Sequence, residues 1–298
     1  MKHLLSIEKM AVEDMNSVLA ASTVMKRERG KSSSEPLKGQ TWALIFSKSS
    51  TRTRVSFEVG LHELGARPLF LNTNDIQLGR GEPIRDTARV LGRMVHGVII
   101  RTYAQAEVEE MAALAGTPVI NALTDAEHPC QLLADVFTIQ ERLGSIEDKV
   151  VTFVGDGACN MAASWIFAAG KLGFELRIAA PKGYQPDPAR LGKAGGNIVV
   201  TDDLKAAAAN ADVLYSDVWV SMGKEDEARE RLKALTGYQL NSAAVALARP
   251  GALVMHCLPA YRGKEIDDAT FEANADTIFT QAENRLHAQK AVLEWIVS

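Results

Sequence analysis

Ser47-Lys48-Ser49-Ser50-Thr51-Arg52-Thr53-Arg54 places five hydroxyls and three cations in eight residues. The run follows an apolar stretch of strand length, Trp42–Phe46, and opens a helix-like stretch, Thr53–Leu64. A helix N-terminus carries free backbone N–H groups and the positive end of the helix dipole, so it attracts anions. Arginine adds a planar fork that fits phosphate oxygens. The plainer alternative is an ordinary N-cap with a solvated basic turn.

Other reactive residues sit at equivalent places. Arg101 follows Gly97–Ile100, and His128-Pro129-Cys130-Gln131 follows Pro118–Asn121 by a short loop. Gly155-Asp156-Gly157-Ala158-Cys159-Asn160 follows Val150–Val154. Asp217 follows Val213–Ser216, with Ser221-Met222-Gly223 close behind, and His256-Cys257-Leu258-Pro259-Ala260 closes the last long strand. In an open parallel sheet, ligands gather at the C-terminal strand ends. Each residue also has a bland reading: Arg101 a surface ion pair, His128 a helix-start histidine, Asp217 a turn cap, Cys257 a small buried hydrophobe. The Gly155 turn suggests a dinucleotide site but lacks the full G-x-G-x-x-G spacing. His128/Cys130 and His256/Cys257 suggest zinc, yet no C-x-x-C or H-x-x-x-H spacing is present, so no metal is expected.

Stepwise alternation of strand-length and helix-length segments must position these residues. Candidate strands are Trp42–Phe46, Pro68–Leu71, Gly97–Ile100 and Pro118–Asn121, then Val150–Val154, Glu175–Ala179, Ile198–Thr201, Val213–Ser216 and Ala252–His256. Thr277–Phe279 reads as a short addition. Thr53–Leu64, Ile84–Met94, Ala106–Ala115, Met161–Leu172 and Asp226–Leu235 read as helices. This βαβα rhythm implies parallel sheets covered on both faces. A long helix from Gln131 is expected to bridge two halves, and Ala282–Val297 to return to the first. The expected domains are 1–145 with 282–298, and 146–281.

The 298 residues suit about two domains. A net charge of −4 gives no bulk attraction to nucleic acid or anionic membrane, so any anion site must be a local cationic cluster. No apolar run approaches the roughly 20 residues that span a bilayer. Three separated cysteines and no signal-peptide pattern point to a cytoplasmic, reduced protein.

Taken together, these motifs resemble the aspartate/ornithine carbamoyltransferase family along the whole chain. The family's S-T-R-T-R stands as Ser50-Thr51-Arg52-Thr53-Arg54 and its H-P-x-Q as His128-Pro129-Cys130-Gln131. Asp217 through Ser221-Met222-Gly223, His256-Cys257-Leu258-Pro259 and Ala282-Glu283-Asn284-Arg285-Leu286-His287 are similar to its ornithine branch. The resemblance implies a carbamoyl phosphate domain and a Rossmann-like ornithine domain, each a doubly wound parallel sheet, bridged by helices. It implies transfer of the carbamoyl group to the side-chain amine of ornithine, without a cofactor, in a homotrimer or a multiple of trimers serving arginine biosynthesis. Carried over by position, Ser50, Thr51, Arg52 and Thr53 would bind phosphate. Arg101, His128 and Gln131 would hold the carbamoyl group, and Gln77 would reach a neighbouring subunit's site. Asn160, Asp217, Ser221 and Met222 would bind ornithine. Cys257, Leu258 and Arg285 would line the region of the reacting amine and the phosphate, with Asp217 or Cys257 relaying the proton. Leu258-Pro259 resembles a bond that is cis in the family. The chain departs from the pattern at Cys159, where many members have a second asparagine, and at Tyr261, where many have histidine.

Overall fold

The structure is a computed structural model and describes residues 1–31, 34–72, 76–220 and 225–298. By contacts the chain forms two compact units, Met1–Phe137 with Asn284–Ser298, and Thr138–Glu283. Both divisions fall inside helices, so residues 138–145 and 282–283 stand on the other side of the boundary from the one the sequence suggests.

Unit 1 runs α1 (Val12–Arg27), β1 (Thr41–Phe46), α2 (Thr51–Glu63), β2 (Arg67–Asn72), α3 (Ile84–Leu91), β3 (Gly97–Arg101), α4 (Gln105–Leu114), β4 (Val119–Leu123) and the start of α5 (Pro129–Leu143). Its four strands are parallel in the order β2-β1-β3-β4. The inner strands read Trp-Ala-Leu-Ile-Phe and Gly-Val-Ile-Ile and are buried throughout, as parallel strands covered on both faces must be. The edge strand β2 alternates in exposure instead. Ala43, Ile45, Val98 and Ile100 pack with Ala88, Val108 and Met111 from the covering helices α3 and α4.

Unit 2 runs from the rest of α5 through β5 (Val150–Val154), α6 (Asn160–Leu172), β6 (Glu175–Ala179), α7 (Pro188–Ala194), β7 (Asn197–Thr201), α8 (Leu204–Ala208), β8 (Val213–Ser216), α9 (Ala228–Leu235), α10 (Ser242–Val245), β9 (Leu253–His256) and α11 (Asp268–Ala273) to the first turns of α12 (Ala275–Val297). The strand order is β7-β6-β5-β8-β9, all parallel. Met161 to Ala169 of α6 are all buried, so this helix is enclosed rather than amphipathic.

Two expectations are corrected. Thr277–Phe279 is not a strand but part of α12, where Ile278 is buried and Phe279 exposed. A three-residue apolar stretch fits either period, and the hydrogen bond from Ile278 N to Asn274 O settles it as helix. The helix read as Asp226–Leu235 opens with a 3-10 turn, Glu225–Glu227, before α9 begins. No helix among the described residues is long and apolar enough to cross a membrane.

Candidate active site

Strand order fixes where side chains can converge. In unit 1 the order reverses between β1 and β3, whose ends pair as Phe46 with Arg101. The crevice beyond such a switch point is the usual ligand position. Ser47 N donates to Arg101 O at 2.8 Å, which joins the two strand exits. Ser50 then caps α2: its Oγ accepts the Thr53 N–H at 3.3 Å and donates to Thr53 Oγ1 at 3.0 Å. Thr51 is exposed, Arg52 half-buried and Thr53 buried, all in the first turn of α2. Arg54 is directed elsewhere, to Glu58 at 2.8 Å and over the Phe70 ring at 3.6 Å.

Buried beneath this turn is a polar network. The Arg285 guanidinium donates through Nε to Gln289 Oε1 at 2.9 Å, through Nη1 to Gln131 Oε1 at 2.7 Å and through Nη2 to Thr53 Oγ1 at 3.2 Å. Gln131 Nε2 donates to Asp135 Oδ1 at 2.8 Å, and Ser56 Oγ to Gln289 Oε1 at 3.1 Å. Arg101 and His128 are buried in the same unit. Burial, then the charges of Arg285 and Arg101, hold His128 well below the usual imidazole range, so it stays neutral near pH 7. Cys130, behind it on α5, donates to Asn121 O and is pushed by burial to about 12. Gln77 is exposed and opens a 3-10 turn beyond β2, apart from these contacts.

In unit 2 the switch point lies between β5 and β8, and their exits carry the Gly155 turn and Asp217. Ser216 pairs with His256, so Asp217 and Cys257 leave neighbouring strands side by side. The Cys257 thiol donates to Asp217 Oδ1 at 2.9 Å, and the Val218 N–H donates to the same oxygen at 2.7 Å. Enclosure raises the Asp217 carboxyl, while the thiol bond opposes that rise. Cys159 caps α6 by accepting the Ala162 N–H at 3.4 Å. Burial, with the charges of Asp217 and Asp156, pushes its thiol well up. Asn160 is the first residue of α6, half-buried. Leu258 follows Cys257 at φ 56, and the Leu258–Pro259 bond is cis, as the resemblance implied. Ser221 and Met222 lie outside the described residues.

The Gly155 turn does not suit a pyrophosphate. Asp156 is buried there in a two-pronged ion pair with Arg231 at 2.7 and 3.0 Å, and it also accepts the Ala158 N–H. The Ala158 N–H, a donor that a pyrophosphate would need at this turn, is therefore already taken by the protein's own carboxylate. The glycines serve packing: Gly155 has φ 129, and a Cβ on Gly157 would stand 2.8 Å from Ile178. Among the described residues, no group of three or more His, Cys, Asp and Glu could hold a metal ion.

Several contributors escaped the motif reading. Lys48 is buried, ion-paired to Asp125 and 4.2 Å from the Tyr103 ring centre. Asp135 and Gln289 stand four residues beyond Gln131 and Arg285, and Ser56 three beyond Thr53. Helical i, i+3 and i, i+4 spacing was the signal available.

Such a pair of parallel sheets defines a class: two-domain α/β transferases with a cationic cluster at one switch point and a carboxylate at the other. The chain belongs to the aspartate/ornithine carbamoyltransferase family. The family's carbamoyl-P binding domain matches residues 2–141, and its Asp/Orn binding domain matches residues 147–296. It is 56% identical over 296 residues to an ornithine carbamoyltransferase from Akkermansia muciniphila, covering 98% of this chain and 97% of that one. The crystal structure of the anabolic ornithine carbamoyltransferase from Campylobacter jejuni superposes with a TM-score of 0.93 at 41% identity, covering 98% of each chain. The ornithine carbamoyltransferase from Pyrococcus furiosus gives 0.92 at 43%, covering 99% of this chain and 96% of that one.

Proposed function

We propose that the chain transfers the carbamoyl group of carbamoyl phosphate to the side-chain amine of ornithine, giving citrulline and phosphate. The observation that carries this reading is the Asp217 carboxylate, held by the Cys257 thiol at a strand exit where an ammonium group can meet it. The likeness to ornithine carbamoyltransferases over nearly the whole chain supports it.

In this reading the α2 N-terminus, with Ser50, Thr51, Arg52 and Thr53, takes the phosphate. Arg101 and neutral His128 donate to the carbamoyl oxygen, where negative charge develops as the amine attacks. Gln131 takes the carbamoyl amide, and Arg285 secures Gln131 and Thr53 next to the phosphate. Asp217 pairs with the α-ammonium of ornithine, and Asn160, Ser221 and Met222 hold the rest of the amino acid. Phosphate is a good leaving group, so what remains is to align the substrates and to free the amine of its proton. Alignment can contribute about 7–11 kcal/mol. An alkylamine has a pKa of about 10.4, so deprotonation at pH 7 costs about 4–5 kcal/mol. Asp217 or Cys257 receives that proton. Cys257 and Leu258 line the reacting amine.

The further parts of the proposal are a homotrimer whose sites are completed by Gln77 of a neighbouring copy, a cytoplasmic location and service in arginine biosynthesis. The Campylobacter jejuni relative is described as anabolic, which supports that direction. The direct test is incubation with carbamoyl phosphate and ornithine. Citrulline and phosphate should appear in equal amounts; phosphate release without citrulline would refute the transfer.

A further inference from the structure

His256 and Glu265 have no assigned part in the reaction, yet both are fully buried and lie 3.3 Å apart, His256 Nε2 to Glu265 Oε1. His256 Nδ1 accepts the Leu258 N–H at 2.9 Å. A nitrogen that accepts carries no proton, which leaves the ring proton to Nε2; that atom lies 3.3 Å from Glu265 Oε1 and is buried without a hydrogen-bond partner. Glu265 Oε1 also accepts the Tyr261 N–H at 2.6 Å. The buried pair therefore bears on both ends of the turn Cys257–Tyr261, His256 at the Leu258 N–H and Glu265 at the Tyr261 N–H. The position of Glu265 is fixed, because Glu265 O accepts the Leu240 N–H at 2.8 Å and Gly263 N donates to Ile266 O at 2.8 Å. Gln281 Oε1 holds the His256 N–H at 2.9 Å from the other side.

Two features say that this arrangement does more than fill space. Leu258 has φ 56, a left-handed conformation that a bulky side chain keeps only where its surroundings impose it. Glu265 Oε2 is buried with no hydrogen-bond partner. A buried carboxylate left half satisfied is costly, and an apolar side chain would pack the same volume at less cost. Each such group in a native fold calls for a physical reason.

We propose that Glu265 and His256 are a positioning pair for carbamoyl transfer. Through the Leu258 N–H and the Tyr261 N–H they fix the backbone that aims the Cys257 thiol at Asp217 and presents Leu258. Neither residue touches a substrate. The inference rests on the reading that Asp217 and Cys257 face the amine.

Glu265→Leu removes the acceptor of the Tyr261 N–H and the polar neighbour of His256, whereas Glu265→Gln keeps an oxygen that can receive the Tyr261 N–H. Calorimetric binding of carbamoyl phosphate, at wild-type affinity and stoichiometry, identifies folded variants. In folded Glu265→Leu, kcat for citrulline formation should fall about tenfold or more, as expected of misplaced reacting groups. Glu265→Gln should recover most of the loss. A folded Glu265→Leu within about twofold of wild-type kcat would overturn the proposal. So would a Glu265→Gln variant no better than Glu265→Leu. If Glu265→Leu does not fold, His256→Asn takes its place. It keeps an acceptor near Leu258 N–H but cannot reach Glu265, and the same limits apply. Should the wild type form no citrulline, the functional reading fails and not the pair. The rate at which iodoacetamide alkylates Cys257, followed by mass spectrometry, then decides. Glu265→Leu should change that rate about threefold or more, and an unchanged rate would overturn the pair.

Discussion

Arg285 shows how a single side chain can be read in outline and missed in detail. Its place in the Ala282–His287 motif marks it as a site residue, but its three donor positions face Gln289, Gln131 and Thr53. Gln289 stands at i, i+4 spacing within α12, but Gln131 and Thr53 come from α5 and α2, and no local pattern announces those two. A lysine offers one point charge where a planar fork serves three acceptors. Arg285→Lys should therefore lose about 3 kcal/mol or more, since buried acceptors go unpaired. A fall in the urea midpoint with unchanged slope would show it; an unmoved midpoint would contradict it. The residue types of the turn that opens α2 were legible for the opposite reason: Ser50 to Arg54 are contiguous, and their cap geometry is local. Asp217 yields a second prediction. Its carboxyl is raised by burial, and the Cys257 thiol bond favours the charged form and so opposes that rise. Cys257→Ala should move the Asp217 midpoint further up, followed by carbon NMR of labelled aspartate. A downward shift or none would show that the thiol does not support the carboxylate.

Within each unit, elements carry residues to one sheet edge because its strand order reverses once, at β1/β3 in unit 1 and at β5/β8 in unit 2. Most strands were legible, since buried parallel strands read as unbroken apolar runs between polar turns. α1 was not among the elements read from the sequence, although Met15, Val18, Leu19 and Ser22 bury one face at helical spacing. Thr277–Phe279 was misread because three residues cannot separate a period of two from one of 3.6. The chemistry at the start of α5 depends on its surroundings and could not be read from His-Pro-Cys-Gln alone. His128 is depressed by burial and by two arginines distant in sequence. Its unfolded value is about 6.5, so its contribution to stability is present above that pH and is lost as pH falls through the lower folded value. His128→Gln cannot bind the proton and should flatten the loss of unfolding free energy on acidification below about pH 6.5. Parallel pH profiles for the two proteins would contradict the assignment. Cys130, raised to about 12, should resist iodoacetamide in the native protein at pH 8 and react only after denaturation. Native labelling of Cys130 would show that the α5 start is open.

At the scale of the molecule, the net charge of −4 leaves the run Ser47–Arg54 as a local cationic cluster. The motif order made the two-domain plan legible from the sequence, because the motifs other than Ala282–His287, which lies inside α12, stand at strand ends. The boundaries were less so, because α5 and α12 run through them without a break and a continuous helix carries no punctuation. The choice of acceptor amine is what most directly defines the reaction. Putrescine differs from ornithine only by lacking the α-carboxylate. A site built to bond a polar group rejects an analogue without it, since its own donors remain unpaired. The measurement is kcat/KM for both amines at saturating carbamoyl phosphate, on wild type and on Asp217→Asn. The wild type should prefer ornithine by at least about 10³, roughly 4 kcal/mol, and Asp217→Asn should lose use of both amines, since each carries a second ammonium group. Comparable wild-type values for ornithine and putrescine would contradict it.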